Sequence, residues 1–354
     1  MGSTADVTYA RARDEVAQIS RGDMNPRALR LAVLAVIRKA VAFDAYAWLI
    51  TDPQTSVGSS PLADVPCLPE LPQLIRLKYQ TAVNRWTGLS CGAASLVAAA
   101  AGDLSRSMMW REMLHRYQVT DIASSVCRDR FGCWGFLDLW RIHATPFSQA
   151  DIGFLNQIAR PMTAALRRSL ARTFVPSAAG WPTGGPAVLL LSPVLVVRAQ
   201  TPQTQGYLRV LVPPEAEDEA PVPASAYNVA AQLLAAEAGV DDNPPRARVH
   251  LADGRWLTVS AARIGTAHAT TERDIAVSIE RATPHDRMTV FARACALTSR
   301  ETQLLHHLTA GGSTVDIARR MFVSEHTVQD HLKSIFNKTG TRNRRILLAR
   351  ALGT

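Results

Sequence analysis

Residues 297–354 read LTSRETQLLHHLTAGGSTVDIARRMFVSEHTVQDHLKSIFNKTGTRNRRILLARALGT. Thr298 and Glu301 stand at the T-x-x-E spacing of a capping box, so a helix opens there with Leu304, Leu305 and Leu308 on one face. Gly311-Gly312 ends it, and Ser313 with Asp316 starts a short second helix that buries Ile317, Ala318 and Met321. A tight connection at Phe322-Val323 leads to Ser324, the N-cap of a third helix with Val328, Leu332 and Ile335 inward. Gly340 stops that helix, and a fourth covers 344–352. Two short helices joined by a turn, the second strongly amphipathic, form a helix-turn-helix pattern.

The outward face of the third helix holds His326, Gln329, Asp330, Lys333 and Asn337, side chains that can reach base edges in a major groove. Lys338, Arg342, Arg344 and Arg345 follow closely. The 58 residues carry nine Lys/Arg against four acids, so +5 of the chain's +9 sits here. Charge concentrated beside such a helix points to double-stranded DNA.

This segment resembles the DNA-binding domain of LuxR/FixJ/NarL-type regulators. The resemblance is carried by Leu297-Thr298-x-Arg300-Glu301, the glycine pair, Ile317-Ala318 and Val323-Ser324-x-x-Thr327-Val328-x-x-His331, and continues through Ile335, Lys338 and Arg344. It implies a third helix in the major groove and a fourth that commonly mediates dimerisation. It also places Thr327, His331 and Lys338 near the DNA backbone, where contacts fix register. Ser324, Arg342 and Arg344 complete the expected DNA-binding set. The family often has a lysine after the Thr-Val pair and then a small or apolar residue; here Gln329 and Asp330 stand there. Asp330 either accepts from a cytosine amino group or orients Lys333.

Upstream, the first unit mixes helices and strands. A helix is expected over 27–42, a strand over 45–51 (AYAWLIT), an amphipathic stretch over 107–117, and strands over 121–126 and 133–142 joined by the turn RDRFG. Ser148 and Asp151 open a helix towards Thr173 that Pro161 should kink or restart. Arg128-Asp129 followed by Gly132-x-Trp134-Gly135 resembles the GAF domains joined to transcriptional regulators, a sheet with helices on one face that often binds small ligands. Trp134 and Trp140 alternate with period two, so they should share a strand face, either packed in the core or lining a ligand cavity, and are the candidate ligand-binding residues. Cys127 and Cys133 bracket the proposed turn, which makes either a redox pair or two inert buried thiols.

VPSAAGWPTGGP at 175–186 reads as a linker. The middle unit starts with AVLLLSPVLVV, a hairpin about Ser192-Pro193, then an acidic loop at 213–223 and a helix over 224–238. Strands at 246–253 and 255–263 flank Asp253-Gly254, and a last strand covers 273–281. This order is similar to a PAS-like domain.

The expected fold is α+β and multidomain. It has a GAF-like α/β sensory domain over 1–174, a PAS-like α/β domain over 187–283, a connecting helix over 288–296 and an all-α four-helix helix-turn-helix domain over 297–354. Length agrees, since 354 residues at about 150 per domain make two to three units. Five cysteines without metal-ligand spacing, no apolar N-terminal stretch and no membrane-length segment lead to the expectation of a cytoplasmic protein with reduced thiols and no metal. No HExxH, CxxC or P-loop pattern occurs, so no enzymatic activity and no cofactor are expected. The function read from the sequence is a sequence-specific DNA-binding transcription regulator, expected as a homodimer. Its front domains would sense a small molecule or a partner and control dimer geometry. The alternative is a sensory or scaffold protein acting through protein contacts, with weak or vestigial DNA binding.

Overall fold

The computed structural model describes residues 4–89, 92–176, 185–211, 223–251, 254–265 and 273–353. The expected linker and acidic loop, and Asp253 of the expected turn, lie largely or wholly outside them.

The first unit begins with α1 (Thr4–Arg21) and α2 (Pro26–Ala40). Asn25 caps α2 by accepting from the amides of Arg27 and Ala28, with Pro26 at its first position. Strands β1 (Ala45–Thr51) and β2 (Gly58–Asp64), helix α3 (Leu71–Gln80), strand β3 (Gly92–Ser95) and short helices α4 (Leu96–Ala99) and α5 (Met108–Glu112) follow. The unit closes with β4 (Val119–Asp129), β5 (Gly132–Ile142) and α6 (Gln149–Arg172). The strands form one antiparallel sheet in the order β2-β1-β5-β4-β3. Both of its faces are covered: α2 and α6 pack with Trp48 and Leu139 on one, and α3 and α5 with Ala45 and Ile122 on the other. This departs from the GAF resemblance, which implies helices on one face.

Three local expectations change. The β4–β5 turn is Arg130-Phe131 alone, because Arg128 and Asp129 belong to β4. The Asp129 carboxylate folds that turn by accepting from the Phe131 amide and from Trp134 Nε1 at 2.9 Å. Gly132 is required by close approach, since a Cβ there would lie 2.3 Å from the Pro53 carbonyl oxygen. The ladder pairs Cys127 with Gly135 and Arg128 with Cys133, so Trp134 is skipped as a bulge. Trp134 and Trp140 therefore do not share a face: Trp134 packs with the α6 side, and Trp140 with Leu74 and Met109 opposite. The same shift sends Cys127 and Cys133 into different clusters, and burial pushes both thiols up, Cys127 to about 12. Finally, α6 runs through Pro161 without restarting. Buried Ile158, Ala159, Met162 and Thr163 hold it on both sides of the proline, while the Gln157 carbonyl left without its amide partner belongs to an exposed residue.

The middle unit comprises β6 (Ala187–Leu191), β7 (Val197–Gln200), α7 (Pro202–Leu211), α8 (Ala224–Glu237), β8 (Arg246–His250), β9 (Trp256–Arg263) and β10 (Ile275–Arg281). Its sheet, β7-β6-β10-β9-β8, repeats the strand order of the first when strands are counted within each unit. Helix α8 is mostly small and apolar on every side, with Ser225, Asn228 and Gln232 among its buried residues from Ala224 to Ala235. Such a helix must be buried on every side, and α8 lies between its own β9 and the α3 and β2 of the first unit.

Polar contacts cross the seam between the two units. Asp52 is wholly buried and accepts from Arg248 Nε at 2.6 Å, Arg248 Nη2 at 2.7 Å and the Arg248 amide at 2.8 Å. Nearby, Ser225 Oγ donates to the Ser59 carbonyl at 2.6 Å.

Helix α9 (Pro284–Ala294) starts four residues before the connecting helix expected at 288–296, because Thr283 caps it by accepting from the Asp286 amide. It is followed by α10 (Ser299–Thr309), α11 (Thr314–Met321), α12 (Glu325–Thr339) and α13 (Arg344–Leu352). Among the described residues no helix is long and apolar enough to cross a membrane.

The Asp52–Arg248 pair makes a measurable claim. Asp52→Ala leaves a buried guanidinium without its carboxylate and should cost about 3–5 kcal/mol in urea unfolding. Adding Arg248→Met should restore a large part of that loss; equal losses in the single and double variants would refute a coupled pair.

Candidate nucleic-acid interface

The C-terminal helices are set by their caps. Thr298 accepts from the Glu301 amide at 3.3 Å while the Glu301 carboxylate accepts from the Thr298 amide at 2.7 Å. Ser313 and Asp316 repeat this box on α11. Phe322 adopts a left-handed conformation (φ 56°) that ends α11 and turns the chain into α12. Ser324 caps α12 by accepting from the Thr327 amide at 3.1 Å, and its hydroxyl lies 2.9 Å from Thr327 Oγ1. Leu304, Leu305, Ile317, Val328, Leu332 and Ile335 form the shared core.

Glu301 does more than cap. It is 3% exposed and reaches across to α12, accepting from Ser334 Oγ at 2.6 Å and from Lys338 Nζ at 2.8 and 2.6 Å. Burial alone would raise its carboxyl, but Lys338, Ser334 and the Thr298 amide outweigh that and hold it at about 2. The ammonium of Lys338, expected at the DNA backbone, ties α12 to α10 while the residue remains exposed.

The remaining expected residues divide by exposure. Ser324, His326, Gln329, Asp330, Lys333, Asn337 and Arg342 are exposed on or beside α12, while Thr327 and His331 are half-buried. Arg344 is also half-buried and donates through Nη2 to Thr314 Oγ1 at 2.6 Å, tying α13 to the start of α11. Asp330 makes no ion pair with Lys333 among the described residues. Its carboxylate lies 3.6 Å from His326 Nε2, one turn back on the same face. The sequence reading omitted three exposed residues that flank this face, Arg319, Arg320 and Phe322. The arginines are visible as an R-R pair ending the second helix; Phe322, 95% exposed, was passed over as part of the tight connection. Among the described residues there is no group of three His, Cys, Asp or Glu that could hold a metal.

Because its folded pKa is depressed, Glu301 contributes stability above the ordinary glutamate value near 4.5 that is lost as pH falls towards about 2. Acid titration of the intact protein, followed by amide exchange in α10 and α12, should show progressive loosening in that window. Glu301→Gln should destabilise α12 by about 2–3 kcal/mol at neutral pH and flatten the dependence. An unchanged acid profile in the variant would refute the linkage.

A stretch of 48 residues is 46% identical to the probable csgAB operon transcriptional regulatory protein of Salmonella typhimurium, and equally to the CsgBAC operon transcriptional regulatory protein of Escherichia coli. It makes up 14% of this chain and spans 22% of the length of each of those curated relatives. The crystal structure of the E. coli DhaR(N)–DhaL complex aligns over 80% of this chain and 91% of its own, at 13% identity and a TM-score of 0.19, which bears no weight on the fold. Residues 295–351, α10 to α13 almost in full, match the bacterial regulatory proteins of the luxR family.

Proposed function

We propose that the protein is a sequence-specific DNA-binding transcription regulator in which α12 enters the major groove. The observation that carries this reading is the free polar face of α12 (His326, Gln329, Asp330, Lys333, Asn337), anchored behind by Glu301 and flanked by arginines of α11 and α13. In this reading Lys333 is the cation best placed to reach a base edge, and Thr327 and His331 fix register on the backbone. Lys338 acts through Glu301, by setting the pose of α12. The matched relatives are regulators of named operons, which supports the same class of activity.

The front units are proposed to be GAF-like and PAS-like sensory domains. The shared strand order supports their kinship to each other, and both sheets carry packed helices as such domains do. A homodimer would present two α12 helices to half-sites about 34 Å apart, one DNA turn. Control passes through α9, which is packed against α6 and α13 together.

Selection from random duplex DNA with the full-length protein should enrich a palindromic motif; absence of any enriched motif would favour the scaffold reading instead. Against the enriched site, Lys333→Ala should cost about 1–3 kcal/mol and relax one base position. Asp330→Ala should strengthen binding to unrelated DNA by removing a charge that repels phosphate, measured by anisotropy at fixed salt.

A further inference from the structure

Three adjacent strands leave a bare floor in the first unit. Ala47 on β1 pairs with Ala63 on β2 and with Asp138 on β5, so two alanines and an aspartate lie side by side across the sheet. Leucines and an isoleucine of α3 wall the space above them, and α8 of the middle unit closes it. The resulting cavity is about 640 Å³, within the range of small-molecule sites.

Its polar groups define what fits. Asp138 accepts from Trp86 Nε1 at 2.8 Å and pairs with Lys78 Nζ at 2.9 Å, and Lys78 also reaches Ser124 Oγ at 3.2 Å. Both charges are almost fully buried and cancel, so this end of the cavity is polar without net charge. Asn228 of α8 also lines the cavity and is 1% exposed, yet neither its Oδ1 nor its Nδ2 has a hydrogen-bond partner among the described residues. Trp140 Nε1, on a lining residue two positions from Asp138, is likewise without one. Buried polar atoms left in this way are costly, and a ligand supplying an acceptor and a donor would satisfy them.

We propose that this cavity binds an uncharged, flat, amphipathic molecule with a donor and an acceptor side by side, as in a carboxamide or lactam edge, held jointly by the first and middle units. The body of the molecule lies on Ala47 and Ala63, and its polar edge meets Asn228. The proposal rests on the reading of the front units as sensory. Because Asn228 comes from α8 while the floor and the Lys78–Asp138 pair come from the first unit, occupancy adds contacts across the seam that Asp52 and Arg248 hold. An anion is the competing occupant, since Arg27 and Arg30 also line the cavity. Arg30 already donates through Nε to the Pro26 carbonyl and through Nη1 to those of Trp48 and Ser60, so its guanidinium is largely committed.

Calorimetric titration of the full-length protein with naphthalenecarboxamide, naphthoate and methyl naphthoate tests this, since the three share one flat body. The carboxamide should bind, with the anion and the acceptor-only ester at least about tenfold weaker. Asn228→Leu should weaken the carboxamide about tenfold and leave the ester nearly unchanged. Ala47→Leu should fill the floor and abolish binding while the melting temperature holds or rises. Naphthoate binding as tightly as the carboxamide, no carboxamide binding, or wild-type affinity in Ala47→Leu would each overturn the proposal. Carboxamide binding that follows the expected pattern but leaves operator affinity unchanged would support the site and overturn the sensory role of the front units.

Discussion

Arg287 sits where the three parts of the chain meet. From α9 its guanidinium donates to the Gly254 carbonyl of the middle unit, to that of Val175 at the exit of α6 (2.8 Å), and to that of Arg350 in α13 (3.1 Å). Phe174 lies under it, 5.2 Å from the guanidinium carbon, and stacks in turn on Trp256 and against the edge of Phe291. Burial lowers the guanidinium to about 10, so the group stays charged at neutral pH, donating to three carbonyl dipoles. A buried charge held in this way tolerates little displacement, because each carbonyl that moves off leaves part of the charge unsolvated. Arg350 adds a second tie, from α13 to the Phe174 carbonyl at 2.8 Å.

The consequence is directional. The C-terminal helices pack on the rest of the molecule through α9 and α13, whereas the polar face of α12 stays exposed. The first unit, the middle unit and α13 meet where the carbonyls of Val175, Gly254 and Arg350 share the Arg287 side chain. The cavity under α8 lies on the same seam as the Asp52–Arg248 pair, so its contents and that junction are parts of one packed body.

Much of the molecule was legible because the signals are local. T-x-x-E and S-x-x-D announce their helices through bonds three residues long, and AYAWLIT is bounded as a strand by its own alternation and the following turn. The misreadings share a different cause. Period-two alternation put Trp134 and Trp140 on one face, but a single bulge opposite Cys127 and Arg128 reverses the parity. Pro161 carries a local penalty that the packing of its neighbours overrides. The Glu301 partner of Lys338 lies 37 residues away, beyond any local spacing.

Local chemistry in the sequence alone therefore determined the elements, their caps, the helix-turn-helix pattern and the polar face of its third helix, since each depends on residues within a few turns of one another. Tertiary structure alone decided which polar groups meet. Glu301 becomes the anchor of α12, Asp52 finds Arg248 across 196 residues, and two alanines become the floor of a cavity only because α3 and α8 stand over them. Those outcomes depend on burial and on distances through space, which no local spacing encodes.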